Sequence, residues 1–217
     1  MNRTLSSVGV ALVALAVPAL AAATGVAAPS SASAPAPAAV AAEPPFVLES
    51  AKTVDVYRYD GYIYDDLGVR LTAGSRPFEV RSYRPSYDQE ILTQWQSPDG
   101  PKSLPAGTVK VWDGLPRFVT LTLVDRDGKT VYEHTRRVCL NGQAERMRPD
   151  APARSPYPWG CPASPWTKGS VQGVQSGWSI PLVQGYGLKL PFGRYRASVT
   201  VGPRYVRMLG LTVTEAR

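Results

Sequence analysis

Residues 118–135 read FVTLTLVDRDGKTVYEHT, two alternating runs of apolar and polar side chains joined by Asp125-Arg126-Asp127-Gly128-Lys129. Successive side chains of an extended strand point to opposite faces of a sheet, so this alternation lets one row be buried while the other stays in water. Asp127-Gly128 offers the positive φ that a tight reversal requires, and the stretch reads as a β-hairpin of 118–124 on 130–135. The same period of two recurs in 54–59 (VDVYRY), 78–83 (FEVRSY), 108–112 (TVKVW), 194–201 (RYRASVTV) and 209–214 (LGLTVT). No segment carries a helical period of useful length. About seven short strands separated by glycine and proline turns predict an all-β domain, most economically an immunoglobulin-like β-sandwich of two sheets.

Composition sets the limits of that domain. The chain has 217 residues, of which 44% are hydrophobic and 9% aromatic, enough for one real core. Residues 1–28 combine an early Arg3, an apolar run from 8 to 20 and small residues that fit a signal-peptidase site, so an export signal is expected there. The run is shorter than the roughly 20 apolar residues of a membrane span and contains Pro18. No cysteine follows it closely, so lipid anchoring is not expected. Residues 29–45 are nearly all Ala, Pro and Ser and read as a disordered leader, because they lack the large side chains that offset ordering entropy. The folded unit is expected at 46–217, on a secreted protein that is extracellular or associated with the cell wall.

The only two cysteines, Cys139 and Cys161, bracket a segment rich in proline (Pro149, Pro152, Pro156, Pro158) and arginine. In an exported chain they most simply pair with each other, closing a long Pro-rich loop; two free thiols or a metal site are the alternatives. A metal site needs more His and Cys ligands than a chain with one histidine offers, and no cofactor is expected. That histidine, His134, reads as an exposed strand residue. It is also the only base available to a hydroxyl nucleophile, and no serine sits in a nucleophile-elbow glycine pattern. The acid pairs Asp65/Asp66 and Asp88/Glu90 read as solvated surface groups rather than a hydrolytic pair. The chain is expected to have no catalytic residues.

What remains is a surface. The formal charge is +7, and Arg146, Arg148 and Arg154 share the cysteine-bounded segment and its flank with Tyr157, Trp159, Trp166 and Trp178. Arginines among aromatic rings make a binding face for glycans or peptides, though the same rings serve equally to pack the loop on the sandwich. A cell-wall polymer or an extracellular protein is the expected partner; nucleic acid and stable membrane insertion are not.

The run Arg148-Pro149-Asp150-Ala151-Pro152-Ala153-Arg154-Ser155-Pro156-Tyr157-Pro158, followed by Gly160-Cys161-Pro162 and by 169–178 (GSVQGVQSGW), resembles the N-terminal half of secreted actinobacterial proteins of the lysyl oxidase family. The likeness extends upstream through Arg84-Pro85-Ser86-Tyr87-Asp88, Leu104-Pro105-Ala106-Gly107, Gly114-Leu115-Pro116, 128–132 (GKTVY) and Cys139-Leu140-Asn141, covering most of 67–201. The resemblance implies a non-catalytic accessory β domain placed before a copper amine oxidase half. That half would lie beyond Arg217, and its histidine-rich copper motif has no counterpart here, so no catalytic residue carries over. The expectation is an accessory or interaction module; the alternative is the accessory part of an amine oxidase that works with a separate catalytic chain.

Overall fold

The β-hairpin of residues 118–135 is the spine of the molecule. In the computed structural model, which describes residues 44–183, 187–202 and 205–215, it is formed by β8 (Leu115–Val124) and β9 (Thr130–Val138). Along β8, Val119, Leu121 and Leu123 are buried, while the residues between them are not. At the reversal, the Asp125 carboxylate accepts from the backbone N–H groups of Asp127 (3.0 Å) and Lys129 (2.9 Å), and Gly128 takes φ +82°. The aspartate thus organises the turn and the glycine provides the conformation that an L side chain resists.

The described residues contain fourteen strands and no helix. The others are β1 (Phe46–Glu49), β2 (Thr53–Tyr59), β3 (Tyr62–Ile63), β4 (Arg70–Ala73), β5 (Phe78–Tyr83), β6 (Leu92–Ser97), β7 (Gly100–Ser103), β10 (Glu145–Arg146), β11 (Gly169–Val174), β12 (Trp178–Pro181), β13 (Gly193–Val201) and β14 (Tyr205–Glu215). The protein is all-β, as the alternation predicts. Its largest sheet has the order β3-β2-β14-β13-β8-β9, antiparallel except where β14 runs parallel to β2. The expected export signal at 1–28 and nearly all of the 29–45 leader lie outside the described residues.

Hydrogen bonding divides the remaining strands into two four-stranded sheets, β1-β4-β12-β10 and β11-β5-β6-β7, where the two-sheet reading expects one. The division has a local cause. β4 continues into β5 through Gly74–Pro77, and β11 continues into β12 through 175–177, so one two-stranded ribbon passes from one sheet to the other at a corner. Pro77 has no N–H to donate there, and the ribbon stays together through Gly177 N–H to Ala73 C=O (3.4 Å) and Ser176 Oγ–H to Gly74 C=O (2.8 Å). One continuous core draws on all three sheets, with Leu71, Val80, Leu121, Ile180, Val199 and Leu211 nearly inaccessible. Rings tie the layers together: Phe46 of β1 lies 5.0 Å from Phe78 of β5 and 4.3 Å from Tyr205 of β14, and Phe78 lies 6.3 Å from Phe118 of β8.

Residues 108–112 are not a strand, contrary to the alternation read there. Val109 and Trp112 are buried while Val111 is exposed, a spacing of three rather than two. Gly107 (φ +71°) and Gly114 (φ +130°) bound the segment and turn it into a loop pinned by its two buried side chains. Gly114 is also sterically required, since a Cβ there would lie 2.6 Å from the Val138 carbonyl oxygen.

Cys139 and Cys161 form a disulfide with Cα atoms 5.8 Å apart, closing a loop of 22 residues in sequence separation. No strand occurs between 147 and 168. Removing the cross-link in a Cys139→Ser/Cys161→Ser protein is expected to lower the unfolding free energy by about 3 kcal/mol, the chain entropy of a loop this long. Urea unfolding curves check this; a loss well below 1 kcal/mol would mean that non-covalent contacts alone order the loop.

Candidate functional site

The cysteine-bounded loop is anchored from below by one asparagine. Asn141, almost fully buried, donates from Nδ2 to the carbonyls of Gly160 (3.1 Å) and Val171 (3.0 Å), and its Oδ1 accepts the N–H of Gly173 (2.9 Å). Gly160 N–H returns a bond to the Asn141 carbonyl (3.3 Å). Because β11 is the edge of its sheet, Val171 C=O and Gly173 N–H face outward without a strand partner. The Asn141 amide offers one donor and one acceptor to them, as a neighbouring peptide would.

On this anchor the predicted surface residues divide into two groups. Tyr157 and Trp178 are packing residues. The Tyr157 ring lies flat on Gly173, where an added Cβ would come within 2.5 Å of it, and its hydroxyl donates to Glu79 (3.0 Å), the residue paired with Gly173 across β5 and β11. Burial, with the Glu79 charge second, pushes the Tyr157 phenol well above its ordinary 10.0. Trp178 packs against the core and donates its indole N–H to the Pro152 carbonyl (3.0 Å). Between them, Tyr157 and Trp178 press two parts of the proline-rich loop onto the sheet. Arg148 belongs to the same anchoring: its backbone N–H bonds Gly177 C=O (3.3 Å) and its side chain pairs with Asp150 (3.5 Å).

Arg146, Arg154, Trp159 and Trp166 are solvent-facing. Trp159 is 85% exposed and Trp166 72%. Trp166 meets Tyr87 edge-on at 5.7 Å rather than any ring of the cysteine loop. Beneath Tyr87, Arg84 donates to the carbonyls of Thr167, Tyr87 and Pro165 while its guanidinium lies 5.0 Å from the Tyr87 ring. The seven residues are therefore not one contiguous face. Arg146, in β10, pairs with Trp178 by backbone register, and its side chain makes no ion pair among the described residues.

A feature that the sequence did not single out lies on the far side of Tyr157. Glu79, which accepts the Tyr157 hydroxyl, also pairs with Arg81 (2.6 Å), and both line an open groove of about 550 Å³ with Pro45, Arg76, Trp95 and Pro98. Arg76 is exposed and has no hydrogen bond or ion pair among the described residues. Lys102 stands 5.6 Å from the Trp95 ring. Lys102 is itself paired with Asp99 (3.3 Å), so the groove presents one unpaired arginine and an indole beside a carboxylate neutralised by Arg81, a set that can hold an anionic chain by charge and stacking.

The other sequence candidates occupy structural positions. His134 is exposed on β9 near the Tyr132 ring (6.2 Å). Asp65 accepts the Tyr57 N–H (2.9 Å), and Asp66 accepts the Gly68 N–H (2.9 Å) and reaches Arg70 (4.0 Å). A hydrogen bond from Ser86 holds the exposed Asp88 carboxyl below its ordinary value, the opposite of what a general acid needs. Among the described residues no three His, Cys, Asp or Glu side chains gather as a metal would require, and no helix is long and apolar enough to cross a membrane. The disulfide is compatible with an extracellular setting. Comparison of the chain with known protein families, with curated proteins and with solved structures returns no match to any of them.

Proposed function

We propose that this chain is a secreted, non-catalytic β-sandwich module that binds a polyanionic extracellular polymer, with the groove of Arg76, Arg81 and Trp95 as its centre. The observation that carries this reading is the free guanidinium of Arg76 at the mouth of a groove whose other arginine is already paired, on a chain of formal charge +7. An acidic ligand would gain its first full ion pair at Arg76, while Trp95 supplies an apolar surface for the ring or backbone of the polymer. The cysteine loop supports the groove through Tyr157 and Glu79 rather than forming it. Titration with oligogalacturonate, a carboxylated glycan, tests the proposal: Arg76→Glu is expected to weaken binding at least tenfold, whereas Arg154→Ala and Trp159→Ala leave it within twofold. Binding that survives Arg76→Glu but is lost with the loop variants would return the site to the loop, and no binding at low salt would end the polyanion reading.

The likeness of 148–178 to lysyl oxidase-family proteins supports placing such a module beside a separate copper amine oxidase chain. The mature protein incubated with copper is expected to give no amine-dependent peroxide above a metal-free control, and turnover would overturn the non-enzymatic reading.

A further inference from the structure

On the opposite end of the largest sheet, the sequence Asp55-Val56-Tyr57-Arg58-Tyr59-Asp60-Gly61-Tyr62-Ile63-Tyr64-Asp65-Asp66 folds back on itself. Asp60 (φ 47°) and Gly61 (φ 81°) form the two-residue reversal, and the register pairs Tyr59 with Tyr62 and Arg58 with Ile63. Residues directly opposite in an antiparallel pair share a face, and so do residues two apart. Tyr57 and Tyr59 lie two apart on β2, Tyr62 stands opposite Tyr59, and the Tyr64 ring lies 6.2 Å from that of Tyr62, so the four tyrosines gather on one face of the hairpin. They are 54% (Tyr57), 71% (Tyr59), 38% (Tyr62) and 57% (Tyr64) exposed. None of their hydroxyls has a hydrogen-bond partner among the described residues.

The hairpin is held firmly from behind. Val56 and Ile63 are fully buried, and Ile63 exchanges two backbone hydrogen bonds with Leu188 (2.9 and 3.1 Å). Arg58 places its guanidinium 3.6 Å from the Phe192 ring centre and donates to the Leu190 carbonyl (3.2 Å). The exposed rings thus stand on a rigid support, and little ordering would be needed on binding.

We propose that this four-tyrosine face is a docking site for an extended, lysine- or arginine-bearing segment of a partner protein. Charge complementarity selects the partner. Asp55 and Asp60 flank the rings and Asp65 sits at the Tyr57 N–H, while Asp66 turns to Gly68 and Arg70; against these three stand Lys189 at one corner, Arg58 turned onto Phe192, and Arg194 and Arg196 two strands away on the same sheet. Ring faces attract cations as well, and Lys189, 5.9 Å from the Tyr62 ring, already makes this contact at its corner. The rings of Tyr62 and Tyr64 are inclined by 45°, so they do not form the flat platform that a sugar ring stacks on, whereas cations need no shared plane.

Fluorescence anisotropy with labelled octa-arginine tests the site, with octa-glutamate and neutral maltohexaose as competing probes. A protein of net charge +7 repels a polycation in general, so binding of octa-arginine requires a local acidic, aromatic patch. Tyr57→Ala/Tyr59→Ala is expected to weaken binding at least tenfold, Tyr57→Phe/Tyr59→Phe to preserve it within threefold, and Asp55→Asn/Asp60→Asn to weaken it and flatten its salt dependence. Arg76→Glu, at the separate groove, is expected to leave it unchanged. Absence of octa-arginine binding, binding indifferent to loss of the two rings, or capture of maltohexaose at these tyrosines would overturn the proposal.

Discussion

Replacing Asn141 by alanine is expected to lower the unfolding free energy by about 3 kcal/mol, comparable to the loss of the disulfide two residues before it, because the substitution strands one buried N–H and two partly buried carbonyls at once. Gly160 C=O, Val171 C=O and Gly173 N–H all take their partners from this one amide. A buried group left unpaired costs about 1–3 kcal/mol, and the methyl of alanine reaches none of them. The damage also has a direction. Without the amide, β11 becomes an open sheet edge, and the variant is expected to self-associate at concentrations where the parent does not. Urea unfolding gives the first quantity and sedimentation velocity the second. A loss under about 1 kcal/mol would show that water takes over the three contacts. Asn141→Asp separates the two halves of the interaction: it keeps the acceptor for Gly173 and loses both donors, so it should fall well below the parent even though it is nearly isosteric.

Asn141 shows where sequence reading reaches its limit. The hairpin of 118–135 was legible because it is long, alternating and punctuated by Asp-Gly; local preference and burial agree along 118–124, while 130–135 stays exposed apart from the half-buried Tyr132. Strands β5, β13 and β14 were readable for the same reason. The corner at 74–77 and 175–177 was not, since β4 and β12 have four residues each and the joints are made by Gly, Ser and Pro, which read only as loop. The 108–112 segment misled because its alternation is genuine in sequence while the glycines at either end take the chain out of extended geometry. A single asparagine in a loop carries no local mark of burial; only the fold, by setting an edge strand beside it, creates the need it meets. The aromatic residues of the cysteine loop could be read either as packing or as exposed, and both readings apply, Tyr157 and Trp178 to the first and Trp159 and Trp166 to the second. The tyrosine face went unread, 54–59 reading only as a strand, although its signal is local. Asp60-Gly61 carries the same turn signal as Asp127-Gly128, and folding the chain there places Tyr62 and Tyr64 beside Tyr59 and Tyr57 by parity alone.

Gly173→Val should have an effect of similar size by a different route, about 4 kcal/mol, with a spectroscopic signature that Asn141→Ala lacks. The Tyr157 ring occupies the space where a side chain at 173 would stand, with its Cζ 2.5 Å from an ideal Cβ, so any substituent forces the ring off the sheet. Overpacking costs about 1–3 kcal/mol, and an expelled tyrosine forfeits its apolar burial as well. The phenol records the change. In the folded parent, burial and Glu79 raise Tyr157 above 10.0, so the fold prefers the protonated ring. Its contribution to stability is fully present below pH 10, the unfolded value, and is lost as the pH rises through the higher folded value. Once the ring is expelled, the folded and unfolded phenols ionise alike and that contribution disappears. The parent should therefore lose more stability between pH 9 and pH 12 than Gly173→Val does, and ultraviolet titration of the folded variant should show one more tyrosine ionising near 10. Glu79, freed of the phenol, keeps Arg81 as its partner, so the groove retains its charges but loses the hydrogen bond by which Tyr157 holds Glu79. Oligogalacturonate binding in this variant should fall less than with Arg76→Glu. Equal losses in the two would mean that the groove recognises its ligand through the loop, and an unaltered phenol titration would mean that Tyr157 leaves Gly173 in solution without any mutation.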